Sequence, residues 1–297
     1  MSEVLSDAIP DAIPDATPGA MGDATSDAVA RRQAVRSELS IDGRKLSYVD
    51  FGGNGRPLVA LHGHLSEGAT FAHLAQALRP DWRVIAPDQR GQGASDRTDD
   101  YTREGYLADL HALLDHLGLD RAVLLGHSLG AVNAYQFAAR HPERVTALVN
   151  AEGPAELGLA GPHPLAFLLD LPFQAATREA LVAGLGPAAP YFADRLRQNS
   201  DGGWRLPFHP QDMYRSEELV HGDHWDDWAA GTSPALLVHG TAGVIPPAQV
   251  SAMAERRPGT AVATVEGDHL LPTTAPDAFA AAVRDFLATL QAHPATR

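Results

Sequence analysis

The stretch that decides the fold of this chain is "LLGHSLGAV", residues 124–132. An apolar run ends at Gly126, Ser128 stands between two glycines at two-residue spacing, and a helical pattern begins directly afterwards. So tight a turn leaves no room for side chains on its flanks, and it raises the serine hydroxyl above the end of a strand. The amides at the start of the following helix face the same point and can stabilise negative charge there. The pattern therefore predicts a nucleophile elbow with Ser128 as the nucleophile.

Short apolar runs alternate with amphipathic stretches on both sides of this elbow. A hairpin with Asp42 and Gly43 as its turn comes first. Near-continuous apolar strands separated by helices are typical of a parallel sheet with helices on both faces. We therefore expect an α/β fold whose strands include "PLVALHG", "WRVIAPD", "RAVLLG", "RVTALVNAE", "PALLVHG" and "TAVATVEG".

The composition divides the chain into three regions. Residues 1–34 are acidic and rich in proline and alanine, with a repeated Asp-Ala-Ile-Pro, which predicts a disordered tail. The alternation of strands and helices occupies 35–152 and 234–297, and it is broken over 153–233. Because long insertions in compact domains are usually lids or binding elements, we expect 153–233 to form a helical lid over one end of the sheet.

The overall composition excludes several classes of protein. The chain has 297 residues, of which 44% are hydrophobic, and no apolar run is long enough to cross a bilayer. It has no cysteine, so thiol nucleophiles and thiolate metal sites are excluded. A net charge of -14 disfavours nucleic acid as a partner. The tail lacks the basic start and the apolar stretch of a secretory signal. We expect a cytoplasmic protein with a small-molecule substrate and neither a nucleic-acid nor a membrane partner; the sequence does not indicate its oligomeric state.

Three further motifs occur with the elbow in a characteristic order. They are "LHGHLSEG" at 61–68, "DQRGQGASD" at 88–96 and "EGDHLLP" at 266–272. With these motifs, residues 36–291 resemble the α/β-hydrolase fold superfamily, which implies a mostly parallel sheet with helices on both faces and a helical lid. The resemblance implies that Ser128 is the nucleophile and His269 the base. It also implies that the backbone amides of Leu129 and His64 form the oxyanion hole, and that no cofactor is needed.

The acid that should complete this catalytic machinery is absent from its usual place. In most members of the superfamily it follows the seventh strand, where "LLVHGTAGVIPP" at 236–247 has Gly243. Glu152 instead follows the sixth strand, as the acid does in some subgroups of the superfamily. We therefore expect Glu152 to orient His269. Asp268 adjoins His269 too closely to reach its far nitrogen, and Glu266 is a weak reserve. The alternatives are a Ser–His dyad, a chain that has lost activity, or a Glu152 that merely begins the lid.

Two other groups of residues could take part in function. "HGDHWDDW" at 221–228 crowds histidines and acids, but its spacing matches no tight metal site, so we predict no metal. Aromatic side chains in the predicted lid either form its own core or line a pocket for the acyl group. Those predicted to contact the substrate are Phe167, Phe173, Trp204 and Tyr214.

These features predict a cofactor-free serine hydrolase that cleaves an ester or lactone of a small, largely apolar substrate through an acyl-enzyme. Serine at the elbow disfavours haloalkane dehalogenases and epoxide hydrolases, which use aspartate there. A carbon–carbon bond hydrolase and a cofactor-independent dioxygenase are the alternatives among enzymes. A non-catalytic ligand-binding or biosynthetic accessory protein is the alternative outside them, and only Gly243 favours it.

Overall fold

A computed structural model describes residues 34–158 and 163–292. Within these residues a sheet of eight strands runs through the centre in the order β1-β2-β4-β3-β5-β6-β7-β8. Strands β1 and β2 pair antiparallel, as do β2 and β4, and every other pair is parallel. The strands are β1 Val35–Ile41, β2 Arg44–Asp50, β3 Arg56–Leu61, β4 Trp82–Pro87, β5 Ala122–His127, β6 Val145–Ala151, β7 Ala235–Ala242 and β8 Thr260–Asp268.

Helices cover both faces of this sheet, as the sequence predicts. They are α1 Ala72–Ala77, α2 Arg103–His116, α3 Leu129–Arg140, α4 Arg178–Leu185, α5 Ala189–Phe192, α6 Pro210–Val220, α7 Trp225–Ala230, α8 Pro247–Arg256, α9 Leu271–Thr274 and α10 Pro276–Ala292. One apolar cluster includes residues of α2, α3, α7 and α8, and the other includes residues of α1 and α10. The predicted α/β-hydrolase architecture is thus confirmed in its sheet and helices.

The central strands are buried on both faces. Leu124 and Leu125 are adjacent in β5, and both are fully buried, but they belong to opposite clusters. Successive side chains of a strand point to opposite faces, so only a sheet covered on both sides buries both residues. Full burial of one leucine contributes roughly 1.5–3 kcal/mol, which makes the continuous apolar runs the main stabilisation of the sheet.

The first two strands form the predicted hairpin. Ile41 pairs with Arg44, and the two residues between them have positive φ, 51° for Asp42 and 79° for Gly43. Positive φ at both central residues is the mark of a type I′ turn, whose twist matches that of the flanking strands. The Asp-Gly pair is therefore the local reason that the chain reverses here.

Residues 153–233, of which 159–162 lie outside the described part, contain more than helices. Besides α4, α5, α6 and α7 they include short strands of two residues each. Glu156–Leu157 pairs with Gly222–Asp223, while Gln174–Ala175, Trp204–Arg205 and Arg197–Gln198 form a small sheet of their own. The segment is thus of mixed structure where the sequence suggested helices alone. Its function as a lid stays a prediction.

The parallel strands β3 to β8 bring their carboxyl ends to one edge of the sheet. Leu61, His127, Ala151 and Asp268 end four of these strands at this edge. Ligands of α/β sheets bind outside this edge, so the loops that follow these residues are where a site is expected. The predicted tail, except Ala34, lies outside the described residues. Within the described residues, no helix combines the length and the apolar character needed to span a bilayer.

Candidate active site

Ser128 stands in a sharp turn between β5 and α3. Its φ is 53° and its ψ is -122°, a conformation that non-glycine residues rarely adopt, and its amide donates a hydrogen bond to Ala151 O at 2.9 Å. A Cβ on Gly126 would lie 2.2 Å from Gly130 O, and a Cβ on Gly130 would lie 2.1 Å from Leu61 O. Both flanks of the serine must therefore be glycine, and the strained turn holds its side chain clear of the sheet.

His269 meets this serine from the loop after β8. Its Nε2 lies 2.9 Å from Ser128 Oγ, and its side chain is 28% exposed. Beneath it, His127 Nε2 donates a hydrogen bond to the carbonyl oxygen of His269 at 2.7 Å. Burial, with a smaller effect of the neighbouring His269, lowers the pKa of His127 to about 3. His127 is therefore a neutral side chain that fixes the backbone of His269.

Glu152 approaches the same histidine from the end of β6. Its Oε2 lies 3.3 Å from His269 Nδ1, and its side chain is fully buried. The amide of Gly240 donates to Oε1 at 2.7 Å, and that of Val244 donates to Oε2 at 2.6 Å. Two backbone donors from the end of β7 and the loop that follows it thus fix a buried carboxylate beside the imidazole, and they compensate for its lost hydration.

The absent side chain at position 243 has a steric explanation. A Cβ on Gly243 would lie 2.2 Å from Glu152 Oε1 and 2.4 Å from Oε2. Glu152 itself has a φ of 56°, in the left-handed region, which costs of order 1–3 kcal/mol for a residue with a side chain. The carboxylate of Glu152 therefore fills the space that a side chain on the loop after β7 would need.

This arrangement determines which nitrogen of His269 carries its proton. An ionised carboxylate only accepts hydrogen bonds, so Nδ1–H donates to Glu152, and Nε2 is free to accept from the hydroxyl of Ser128. The other two acids that the sequence offers do not compete for the imidazole. Asp268 Oδ1 accepts from Leu270 N and from Thr274 Oγ1, both at 2.8 Å. Glu266 is exposed on β8.

Two backbone amides near Ser128 are free to bind an anionic oxygen. Leu129 is the first residue of α3, so its N–H has no acceptor within the helix. His64 follows β3, and a Cβ on the preceding Gly63 would lie 3.0 Å from Ser128 Cβ. Among the residues that the structure describes, neither of these two N–H groups donates a hydrogen bond. They suit an oxyanion hole, the function that the resemblance implies for them.

The loop after β4 is held by contacts within itself and with the loop after β3. Asp88 is fully buried and accepts hydrogen bonds from Gly68 N at 2.8 Å and from Ala94 N at 2.9 Å. Ser95 Oγ donates to the carbonyl of Asp88 at 2.5 Å. The "DQRGQGASD" motif therefore folds its own loop and joins it to the loop that follows β3.

The predicted substrate-binding aromatics lie in the 153–233 segment. Phe173 packs against His209 with 4.7 Å between ring centroids, and Tyr214 stacks on His163 at 3.9 Å. Trp204 belongs to the small sheet, and Phe167 is half-buried against the apolar core. The ring contacts of Phe173 and Tyr214 are both made with histidines of the segment. Contact of these four residues with a substrate stays a prediction.

The histidines and acids of "HGDHWDDW" are engaged in local structure. His221 Nε2 bonds to Glu217 at 3.0 Å, His224 Nε2 donates to Val220 O at 2.8 Å, and Asp223 accepts from the amide of Trp225 at 2.9 Å. In the described parts of the chain, no three His, Asp or Glu side chains are grouped so that they could hold a metal ion.

The structure also places side chains near the site that the sequence motifs do not identify. Ser216 and Glu217, both on α6, contact the imidazole of His64. More than 150 residues separate them from His64 in the chain, with a separation of 152 for Ser216. No local pattern relates positions so far apart, so only the folded chain reveals the contact.

Comparison with known proteins agrees with the fold described above. Residues 56–276 match the family model of the alpha/beta hydrolase fold. The 2-(acetamidomethylene)succinate hydrolase of Mesorhizobium japonicum is 30% identical over 247 residues, which are 79% of this chain and 89% of that protein. The N-formylmaleamate deformylase of Pseudomonas putida is 31% identical over 260 residues, 84% of this chain and 95% of that protein.

A solved structure shows the same fold over nearly its whole length. The crystal structure of an E-2-(acetamidomethylene)succinate hydrolase superposes with a TM-score of 0.74 at 25% sequence identity. The match covers 86% of this chain and 99% of that one. The chain belongs to the α/β-hydrolase fold family, and the two relatives named above are hydrolytic enzymes.

Proposed function

We propose that this protein is a serine hydrolase that works through an acyl-enzyme without a cofactor. The observation that carries the proposal is the continuous path from Glu152 to Ser128 through both nitrogens of His269. Its two distances are 3.3 Å and 2.9 Å. A nucleophile, a base within hydrogen-bond reach and a third group that orients the base are the parts that acyl transfer requires.

In the first half of the reaction, Ser128 attacks the carbonyl carbon of the substrate. His269 Nε2 takes the hydroxyl proton as the new C–O bond forms, and the imidazolium that results is stabilised by the carboxylate of Glu152. The carbonyl oxygen becomes an oxyanion, which the amides of Leu129 and His64 stabilise. His269 then gives its proton to the leaving group, and the bond to that group breaks.

In the second half, water replaces the leaving group. His269 takes a proton from the water as its oxygen attacks the acyl-enzyme, and the same two amides stabilise the second oxyanion. The imidazolium then returns the proton to Ser128 Oγ, which leaves as the free acid is released. Each proton that His269 accepts is passed on in the same half-reaction, so the enzyme ends in its starting state.

We propose an ester or a lactone of a small, largely apolar molecule as the substrate. Half-buried apolar side chains of the 153–233 segment, among them Phe167 and Phe173, pack against the same apolar cluster as Leu65 of the loop after β3, and this supports an apolar substrate. The oxygen leaving group of an ester or lactone depends less on protonation than the nitrogen leaving group of an amide. A site with a single base therefore suits ester hydrolysis.

Amide hydrolysis is the second candidate, and the relatives favour it. By their names, one hydrolyses 2-(acetamidomethylene)succinate and the other deformylates N-formylmaleamate, and both names describe acylated nitrogen. Amine leaving groups need the proton that His269 delivers, and the Glu152 carboxylate keeps the histidine in the tautomer that can take up and return it.

Labelling with a fluorophosphonate tests the proposal directly. We expect mass spectrometry to find one phosphonyl group on Ser128 in the wild-type chain and none in Ser128→Ala. Turnover of p-nitrophenyl acetate and p-nitroacetanilide, which share an acetyl group, then ranks ester against amide hydrolysis. An unlabelled wild-type chain that turns over neither compound would favour a binding protein. Labelling at a residue other than Ser128 would also overturn the mechanism.

A further inference from the structure

The loop that carries the amide of His64 is attached to the 153–233 segment at several adjacent points. We name residues 63–67 the oxyanion loop. Arg195 Nη1 donates to the carbonyl oxygen of Leu65 at 2.5 Å, and Arg197 forms an ion pair with Glu67. His64 itself contacts α6. Side chains of the 153–233 segment therefore contact three of the five residues of the oxyanion loop, namely His64, Leu65 and Glu67.

The contact at His64 resembles the arrangement around His269. His64 Nδ1 lies 2.9 Å from Glu217 Oε2, and its Nε2 lies 2.9 Å from Ser216 Oγ. Both nitrogens of this imidazole are thus engaged, and its side chain is only 8% exposed. Ser216 is fully buried within α6, so its hydroxyl is not at an elbow and is closed to substrate. The arrangement suits holding a histidine in place but not nucleophilic attack.

A row of polar contacts leads from Glu217 through His64 and Ser216 to Tyr106. At one end is Glu217; burial raises its pKa, but the hydrogen bond to His64 and charge interactions with His64, His221 and His163 lower it overall. This carboxylate accepts from His64 Nδ1–H, and in the neutral imidazole His64 Nε2 then accepts from the hydroxyl of Ser216. At the other end, Tyr106 Oη lies 2.8 Å from Ser216 Oγ, and it donates to that oxygen when the Ser216 proton points to His64. Burial raises the pKa of Tyr106, which keeps its proton on the oxygen.

The backbone of the oxyanion loop needs such support. Leu65 has a φ of 60°, a left-handed conformation that costs of order 1–3 kcal/mol and persists only where its surroundings impose it. An oxyanion hole works only when its donors are held about 2.7–3.1 Å from the position of the charged oxygen. A loop under strain that carries one of two donors must be held by other contacts.

We infer that Glu217 and Ser216 are positioning residues, which hold the imidazole of His64 so that its backbone N–H is set for the oxyanion. By this means, docking of the 153–233 segment on the sheet completes the oxyanion hole. The inference rests on the proposed function, because it assigns the His64 amide to the oxyanion. It differs from the predicted role of the segment as a lid that covers the substrate. Here the segment positions a backbone amide of the core, that of His64.

Kinetics of two variants and their combination test the inference. His64→Ala removes the anchored side chain but keeps the backbone amide, and Glu217→Gln keeps the size of the acid but removes its charge. With p-nitrophenyl acetate we expect each to lower kcat about 10–100-fold, since a donor displaced by about an ångström loses much of its effect. KM should change less than about threefold, because the substrate's ground state gains little from the hole. The double variant should be no worse than the more affected single one, since both act through one side chain.

Glu218→Gln is the matched control, since it makes the same substitution one residue further along α6 at an exposed position. We expect it to keep the wild-type kcat. Affinity for phenylboronic acid, whose adduct with Ser128 mimics the tetrahedral intermediate, should fall in proportion to kcat/KM in the two site variants. Independent effects of His64→Ala and Glu217→Gln that multiply in the double variant would overturn the inference.

Hydrogen exchange separates failure of this inference from failure of the proposed function. In Glu217→Gln, amides of the oxyanion loop should exchange faster than in the wild-type chain and in Glu218→Gln. Unchanged exchange would overturn the inference even if Ser128 is labelled as expected. If Ser128 is not labelled, the proposed function fails, and exchange of the loop still shows whether Glu217 holds it.

Discussion

The carboxylate of Glu152 lies where a side chain on Gly243 would begin, 2.2 Å from the position of its Cβ. An acid that follows β6 and an acid that follows β7 would place their side chains in the same space beside His269. Only one of the two can be present. The glycine is therefore the steric partner of the glutamate, and its lack of a side chain is consistent with an active site whose acid comes from β6.

Removal of the negative charge at Glu152 should abolish most of the activity. In Glu152→Gln we expect kcat to fall by about 10⁴-fold with little change in KM, because the amide can neither stabilise the imidazolium nor impose the required tautomer. Steady-state hydrolysis of p-nitrophenyl acetate measures this. Glu266→Gln, the same change at an exposed acid, is the control and should match the wild type. If Glu152→Gln retains most of its turnover, the enzyme uses a Ser–His dyad or another acid.

Substitution at both Glu152 and Gly243 should move the acid from the end of β6 to the loop after β7. Gly243→Asp alone places its Cβ against the carboxylate of Glu152, so we expect a lower melting temperature and almost no turnover. Glu152→Gly in that background removes the clash and suits the φ of 56° at this position. We therefore expect the double variant to recover stability and part of the activity relative to either single variant. Activity of the double variant no higher than that of Glu152→Gly would show that an acid at 243 cannot replace Glu152.

Local patterns in the sequence were sufficient to predict the fold and to nominate the site. The elbow glycines and the two-sided burial of β5 follow from steric rules that act within a few residues. The sequence also predicts Glu152 as the acid, because Gly243 stands where the acid is usual and Glu152 follows the neighbouring strand. Their steric contact is seen only in the folded chain. The contact between Glu217 and His64 could not be predicted, because it depends on how α6 packs against a loop that is far away in the sequence. The short strands of the 153–233 segment were missed because two-residue pairings leave no periodic pattern.

Loss of the hydroxyl of Ser128 should remove the chemistry and leave the fold. In Ser128→Ala we expect turnover to fall by about 10⁶-fold, since the residual rate comes from binding and the oxyanion hole alone. The melting temperature should change little, because the turn depends on Gly126 and Gly130, whose absent side chains make room for it. Circular dichroism checks the fold and fluorophosphonate labelling checks the site. Wild-type turnover in this variant would exclude serine catalysis.

The stability of the protein should fall in mild acid because of His127. Its pKa is about 3 in the folded chain, whereas an unfolded histidine titrates near its ordinary value of about 6.5. Above about pH 6.5 the His127 side chain is neutral in both the folded and the unfolded chain, so its contribution to stability is fully present. As pH falls from about 6.5 towards 3, the unfolded chain binds a proton that the folded chain cannot, and the free energy of unfolding decreases. One such group contributes a slope of up to about 1.4 kcal/mol per pH unit.

Urea unfolding between pH 7 and 5 lies above the range in which most carboxylates titrate, and comparison with a His127 variant separates this effect from that of other histidines with a lowered pKa, such as His62. His127→Gln keeps a donor for the carbonyl of His269 but cannot bind a proton, so its free energy of unfolding should depend less steeply on pH than that of the wild type. The matched control is His73→Gln, since His73 is exposed, and this variant should keep the wild-type slope. If the curves of His127→Gln and the wild type run parallel, His127 does not resist protonation in the folded chain, and the neutral support assigned to it beneath His269 is wrong.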